Sequence, residues 1–344
     1  MANVLDIRRR IRSVKNTLQI TKAMKMVSAA KLRRAQDRAL SARPYEQMLT
    51  NVLKSLVSRT ELFDPETGEP RHPLLAQREE KNILLIVVTG DKGLAGAFNT
   101  NINKAALQFL NSKVGKNIDI ICIGRKGRDF LKRRYPTAAP DQERAAAVQI
   151  VDERVNILGH IKFEDANQIA EAVIERFTAG EVDSVYVLFN EFKSVIAQRL
   201  VVDVVLPIKE IGVHDAATII ELSEEERNRL ARAAEASGVS AFGIDTHDVD
   251  RRAAEFGTAQ VDYIYEQSPD ELFRALLPKY VSGEIYRSLM ESWAAFNAAQ
   301  MTAMDAATSN ASDMIDRLTL AMNRVRQAKI TKEIIEIVSG AAAQ

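Results

Sequence analysis

The chain has 344 residues, of which 46% are hydrophobic and 27% charged, and its formal charge is +1. This composition is typical of a folded globular protein and excludes a disordered or collagen-like chain. No apolar run approaches the roughly 18 to 20 residues that span a bilayer. The single Cys122 excludes an internal disulfide and a multi-cysteine metal site.

Residues 1–60 are predicted to form one long helix. Residues 2–43 contain neither Gly nor Pro, and a helix of that length would span roughly 63 Å. Its first apolar residues follow the heptad spacing of a coiled coil: Ile7, Ile11, Val14 and Leu18. The next seam positions are polar (Thr21, Lys25, Ser28), and an offset apolar stripe runs beside them (Ile20, Met24, Val27). This interruption predicts a partner that changes along the helix.

The same segment is strongly basic. Residues 1–40 carry eleven Lys and Arg residues against Asp6 and Asp37, a charge of +9, so the remainder carries about −8. Such a block indicates an acidic partner, which is nucleic acid, anionic lipid or an acidic protein surface. Residues 1–40 contain no aromatic residue for base stacking or membrane anchoring. An acidic protein surface is therefore favoured, and a basic coiled-coil module that binds nucleic acid or lipid is the alternative.

After a linker at 61–80, residues 81–207 alternate between strand and helix patterns. Short apolar, β-branched runs predict strands at 82–88, 118–123, 185–189 and 200–206. Amphipathic segments predict helices at 99–110, 126–133 and 164–178. This alternation predicts a mostly parallel, Rossmann-like sheet, and therefore an α/β domain.

Residues 208–262 form a separate, polar and acidic segment. Ser223 followed by Glu226 is a capping box, which predicts a helix that continues to Ala236. The stretch after Gly238 is irregular in pattern.

Residues 263–344 are predicted to form a second long helix. Residues 284–339 contain neither Gly nor Pro. A heptad seam of small and flexible residues runs along them: Met304, Ala307, Ala311, Met314, Leu318, Ala321, Val325 and Ala328. The two terminal helices are therefore predicted to pair as a long antiparallel coiled coil, with the α/β domain inserted between them.

No residue pattern indicates catalysis, a cofactor or a metal. The turn at residues 90–96 (GDKGLAG) lies between a strand and a helix, but it matches neither the Walker pattern nor the dinucleotide fingerprint. The four histidines are scattered, and only His247 lies among carboxylates (Asp245, Asp248, Asp250). A plain turn at 90–96 and a solvated loop around His247 are favoured over a nucleotide or metal site.

Several strings resemble gamma subunits of bacterial rotary ATP synthases. They are DIRRRI at 6–11, ITKAMKMVSAAK at 20–31, VTGDKGLAGAFN at 88–99, FNEF at 189–192 and NRVRQAKITKEIIEIVSGA at 323–341. The resemblance covers nearly the whole chain apart from about 208–262, which reads as atypical of the family.

The resemblance implies a noncatalytic central rotor stalk without a cofactor. The coiled coil would lie inside a hexameric ring of alpha and beta subunits, and its base would rest on the epsilon subunit and the membrane c-ring. Proton-driven rotation of the c-ring would drive conformational cycling and ATP synthesis in the ring. The chain would bind no nucleic acid and would reach the cytoplasmic face of the bacterial inner membrane only through the complex.

The resemblance also implies contacts with loops of the catalytic ring. They map onto Lys22, Ala23 and Met24 in the first helix and onto Arg326, Gln327, Thr331 and Glu333 in the last. For Met24, ordinary packing in the seam is an equal alternative. Gln300, also assigned to this contact set, stands where the family usually has Arg, so it lacks the charge for an ionic contact with an acidic loop.

The segment 208–262 lies near the place where chloroplast members carry a redox-regulated insertion. It contains no Cys, which excludes a thiol switch. It is predicted to be a peripheral element that modulates rotation or contacts a neighbouring subunit.

Overall fold

In the computed structural model, two long helices pair along much of their length. The structure describes residues 4–57, 59, 70–138, 144, 146–195, 198–209, 211–212, 216–221, 223–239 and 266–342. Helix α1 (Val4–Val57) has 54 residues and continues through Pro44. The last helix, named α6 here (Pro269–Ala342), has 74 residues and contains Pro278. Ser28 contacts Gln300, and Thr21, earlier in α1, contacts Thr308, later in α6. The residue numbers therefore run in opposite directions along the pair, so the helices are antiparallel, which confirms the predicted coiled coil.

A six-stranded sheet of order β3-β2-β1-β4-β5-β6 forms the inserted domain. Strands β1 to β4 are parallel: Asn82–Val88, Asn117–Ile123, Val148–Arg154 and Ser184–Phe192. Strands β5 (Gln198–Leu206) and β6 (Ala216–Glu221) extend the sheet in antiparallel fashion. The helices are α2 (Phe98–Ser112), α3 (Arg125–Leu131), α4 (Phe163–Thr178) and α5 (Glu224–Glu235). The Rossmann-like α/β class is thus confirmed, and β3 and β6 are strands that the sequence did not predict.

Alternating residues of β1 build the core on the two faces of the sheet. Ile83, Leu85 and Val87 face α2, whereas Leu84 and Ile86 face the other side. That second side is covered by α4, by residues 49–56 of α1 and by residues 273–290 of α6. The coiled coil therefore shares one continuous core with the sheet and is not a separate appendage.

Glu80, at the end of the predicted linker, connects the start of β4 to the residues that follow α2. Its carboxylate accepts hydrogen bonds from Lys113 at 2.6 Å, from Ser184 at 2.8 Å and from Tyr186 at 2.6 Å, and it also pairs with Lys116. Burial opposes its charge, but the lysine hydrogen bonds prevail and lower the pKa of Glu80 to about 2.

A buried ionic cluster joins α6 to the sheet. Arg287 donates to Glu291 Oε1 at 3.1 Å, to Glu284 Oε2 at 2.9 Å and to Asp203 Oδ2 of β5 at 3.4 Å. The second oxygen of Glu291 accepts the backbone N–H of Phe192, at the end of β4, at 3.2 Å. Burial raises the pKa of Glu291. The cluster ties the helix to both strands at one level.

Candidate partner-contact surfaces

The C-terminal part of α6 extends beyond Val4, the residue at which α1 begins. Thr21 lies beside Thr308 and Lys25 beside Asp305, so on this register Val4 lies beside roughly residue 325. The remaining residues, 326–342, project about 25 Å past α1 as a single helix. Every side chain that the structure describes from 326 to 339 is exposed. We call residues 326–342 the tip.

Four of the predicted contact residues lie in the tip. Arg326, Gln327, Thr331 and Glu333 are all exposed. Glu333 forms an exposed ion pair with Lys329 at 3.6 Å. The tip therefore presents polar groups that an external partner can reach.

The tip also exposes large apolar side chains that the sequence reasoning did not single out. Their exposed fractions are 49% for Ile330, 55% for Ile334, 57% for Ile335, 71% for Ile337 and 61% for Val338. At about 100° per residue, four of them lie within one face of the helix and Ile335 widens the band. A contiguous exposed apolar band marks an interaction site. Its signal in the sequence is the apolar clustering in ITKEIIEIV, at residues 330–338, beyond the reach of α1.

The predicted contacts on α1 lie at a second level, about 30 Å along the shaft from the start of the tip. Lys22 and Ala23 are exposed and Met24 is half-buried. Of the offset stripe, Ile20 is 59% exposed and Val27 is 53% exposed. The stripe thus faces away from α6 and is available to an outside partner.

The seam itself does not lose its helical partner where it becomes polar. Thr21 and Ser28 are buried and lie against α6, and Lys25 pairs with Asp305. On α6 the predicted seam is buried at Met304 and Ala311, but Met314 is 52% exposed. The helices therefore stay paired through polar groups in the middle of the shaft.

Gln300 lies apart from the other predicted contacts. Its Oε1 accepts a hydrogen bond from Ser28 Oγ at 3.0 Å, and its side chain is half-buried. It is about 39 Å from Arg326 along the helix axis. The structure therefore brings Gln300 into the shaft seam, close to the α1 group and far from the tip.

A basic cleft opens between α1, the loop after β1 and α6. Its volume is about 380 Å³, and Trp293 and Phe296 form part of its wall. Four cations line it: Lys31, Arg34, Arg38 and Lys92. Asp91 also lines it, but its Oδ1 accepts two backbone N–H groups, and Lys31 Nζ lies 5.8 Å from the Trp293 ring centroid. With four cations against one carboxylate, the cleft presents a net positive charge to an acidic partner.

The turn at 90–96 is filled by the protein's own groups. Asp91 Oδ1 accepts the backbone N–H groups of Arg125, at the start of α3, and of Asn156, at 3.0 and 2.8 Å. A Cβ on Gly90 would lie 2.5 Å from the Phe296 ring. Because the strand order reverses between β1 and β4, this crevice is where a Rossmann-type fold binds its ligand. Here Phe296 of α6 packs against Gly90, and the carboxylate of Asp91 accepts the backbone N–H groups of Arg125 and Asn156.

In the ranges that the structure describes, no cluster of three or more His, Cys, Asp or Glu side chains suits a metal ion. Residues 245–250, with His247, lie outside those ranges. Within them, none of the helices combines the length and the apolarity needed to cross a bilayer.

A long two-helix shaft that is rooted in an α/β base defines a stalk protein. The family model described as ATP synthase matches residues 3–344. Among curated relatives, the ATP synthase gamma chain of Solibacter usitatus is 48% identical over 343 residues, covering 100% of this chain and 99% of the relative. The gamma chain of Pelotomaculum thermopropionicum is 42% identical with the same coverage.

Two solved structures share the fold. A mitochondrial ATP synthase central stalk and c-ring structure from Tetrahymena thermophila matches 84% of this chain and 99% of that one, at 21% identity and a TM-score of 0.50. A mitochondrial ATP synthase structure from Euglena gracilis, described as OSCP/F1/c-ring, matches 99% of this chain and 94% of that one, at 17% identity and a TM-score of 0.55.

The chain belongs to the ATP synthase gamma-chain family. It is a noncatalytic subunit of the central stalk, as predicted. The alternative, a basic module for nucleic acid or lipid, finds no support in these comparisons.

Proposed function

We propose that this chain couples proton-driven rotation of a membrane c-ring to conformational cycling and ATP synthesis in a catalytic hexamer of alpha and beta subunits. The observation that carries this proposal is the tip, a single helix that projects about 25 Å beyond α1 with an apolar band on its surface. An isolated helix with exposed isoleucines needs a surrounding partner. A ring of subunits around the helix supplies one.

The asymmetry of the shaft supports a mechanical role. A rotor that drives alternating conformations needs faces that contact each state of the ring differently, because equal binding to all states shifts none of them. The outward stripe at Ile20 and Val27, the basic cleft and the tip lie at different heights. We assign Lys22, Ala23, Met24 and the polar residues of the tip to contacts with the ring, and Gln300 to the shaft seam beside them.

The basic cleft suits acidic loops of the ring subunits. Its cations come from α1 and from the loop after β1, so a partner there touches shaft and base together. Through the base the chain would also meet the epsilon subunit and the c-ring. Its place would then be the cytoplasmic face of a bacterial inner membrane, held there only by the complex.

The segment 208–262 supports the shaft in its described part. Leu230 and Ala233 of α5 pack with Leu32 of α1 and Ala298 of α6. Arg33 donates to the carbonyl oxygen of Gly238 at 2.9 Å. Its strand β6 belongs to the sheet; we propose that the rest of the segment is a peripheral element that braces the shaft and so modulates rotation.

The test is the double variant Arg326→Ala with Gln327→Ala in the complete complex, in inverted membrane vesicles. ATP-driven proton pumping per ATP hydrolysed should fall several-fold, while co-purification with the ring subunits is unchanged. Arg317→Ala with Ser312→Ala, which are exposed and outside the assigned set, is the matched control and should pump normally. Normal coupling in the first double variant removes these two residues from the contact set. Purification of the native chain without ring subunits contradicts the function.

A further inference from the structure

Three polar contacts cross the seam between α1 and α6 in its middle part. The hydroxyl oxygens of Thr21 and Thr308 lie 2.8 Å apart. Lys25 Nζ lies 2.7 Å from Asp305 Oδ1. Ser28 Oγ donates to Gln300 Oε1 at 3.0 Å. We call these three pairs the polar ladder.

The apolar seam around the ladder discriminates poorly between staggers of the two helices. On α6 it consists of Ala298, Met301, Met304 and Ala311. Alanine buries little area and methionine adapts to irregular gaps. If one helix slips along the other by one turn, about 5.4 Å, alanine and methionine again meet small or flexible neighbours. Around the ladder, beyond the core that both helices share with the sheet, hydrophobic packing therefore contributes little to the axial register.

The ladder is sensitive to such a slip. The Lys25 side chain is only 12% exposed and that of Asp305 is 34% exposed, so a displacement that separates them leaves the Lys25 ammonium with little access to water. Leaving a buried charge without its partner is strongly unfavourable. Polar residues at seam positions are known to specify register at some expense of stability. All three rungs break together in a one-turn slip.

We infer that Lys25 and Asp305 are positioning residues that hold the axial register of the two shaft helices under load. Lys25 follows directly after Lys22, Ala23 and Met24 in α1, so the register decides the height at which those residues meet a partner relative to the contacts on α6. The inference about register stands on the geometry alone, and its consequence for coupling rests on the proposed function.

The competing interpretation is an ordinary ion pair at a half-exposed site, which adds little stability and does not determine the register. Charge exchange separates the two interpretations. Lys25→Asp places two carboxylates together and Asp305→Lys places two ammonium groups together. The double exchange restores an attractive pair with its polarity reversed.

The register is read in the assembled complex with a reporter disulfide between Thr21→Cys and Thr308→Cys. The hydroxyl oxygens that these sulfurs replace are 2.8 Å apart, so little movement is needed to reach the bond length of about 2.05 Å. Native Cys122 does not compete, because burial raises the pKa of its thiol to about 12. Mild oxidation should close the reporter rapidly with native Lys25 and Asp305, several-fold more slowly in each single variant, and rapidly again in the exchange.

A second variant covers the case in which single charge reversals prevent assembly. Lys25→Met with Asp305→Leu removes both charges without repulsion and should assemble. In that background we expect a disulfide between Thr21→Cys and Ala311→Cys, about one turn along α6, to form at the expense of the Thr308→Cys product. A single product at Thr308→Cys overturns the inference.

The same complexes without reporter cysteines are assayed for proton pumping per ATP hydrolysed. Loss in the single variants and recovery in the exchange supports the inference and its link to torque. Unchanged reporter kinetics in the single variants, or no recovery in the exchange, overturns the register role. If the reporter responds but coupling is unchanged, the result supports the register role and removes its link to rotation. The tip variants still test the proposed function by itself.

Discussion

Replacing Arg287 by Met should show how strongly the shaft is rooted in its base. The guanidinium contacts three carboxylates within 3.4 Å, and its side chain is 14% exposed. At an effective dielectric constant of about 20, one contact near 3 Å is worth about 5 kcal/mol before desolvation is subtracted. Removing one partner of such a buried set typically destabilises a protein by about 3–5 kcal/mol. We expect Arg287→Met to lower the free energy of unfolding by about 3–5 kcal/mol at pH 8.

The loss should depend on pH in a defined direction. Burial already raises the pKa of Glu291, and without Arg287, which now lowers it, the folded-state pKa of Glu291 should rise further above its unfolded value. The folded variant then binds more protons than the unfolded chain, so its stability increases as pH falls. The penalty should therefore be at least about 1 kcal/mol smaller at pH 5.5 than at pH 8.

Urea unfolding of the full-length chain at both pH values measures these differences. Arg229→Met is the control, since Arg229 pairs with Glu225 on the exposed surface of α5, and it should change stability by less than about 0.5 kcal/mol. A penalty below about 1 kcal/mol for Arg287→Met at pH 8, or an equal penalty at both pH values, would refute the reasoning.

Three further changes test separate parts of the fold. Glu80→Gln should lower the free energy of unfolding by about 1–2 kcal/mol at neutral pH. Because the pKa of Glu80 is lowered to about 2 in the folded state, the stability that its carboxylate contributes is complete above the unfolded pKa and is lost as pH falls toward 2. Gly90→Ala should destabilise by about 1–3 kcal/mol through overpacking against Phe296, as measured by thermal unfolding. Ser223→Ala removes the cap acceptor for the N–H of Glu226 and should speed hydrogen exchange in α5, at a cost of about 1 kcal/mol.

Each of these predictions has a result that would contradict it. An equal penalty for Glu80→Gln at pH 7 and pH 2.5 would show that its ionised form contributes nothing. If Phe296→Leu fails to relieve the loss in Gly90→Ala, the clash is not its cause. Unchanged exchange in α5 after Ser223→Ala, with exchange in α4 as the internal reference, would mean that tertiary contacts alone define where the helix begins.

The local signals in the sequence located most elements correctly. Ser223 and Glu226 indicated the start of α5 within one residue, because a capping box satisfies backbone donors without tertiary help. The apolar run at 82–88 indicated β1 for the same kind of local reason. Strand β3 escaped prediction because its sequence, VQIVDER, mixes charged residues into an edge strand that is only partly buried. Strand β6 escaped it because pairing with β5 defines the strand.

The sequence by itself determined that two helices without Gly or Pro in their main stretches enclose an α/β domain, since breakers and periodicity act over a few residues. The tertiary structure decided which surfaces those helices leave open. Thr21, Lys25 and Ser28 read as a broken seam, yet α6 supplies a polar partner for each. The isoleucines at 330–338 fit a helix pattern, but they are exposed because they lie beyond Val4, where α1 begins. A helix period specifies a face, and only the neighbouring elements determine what covers it.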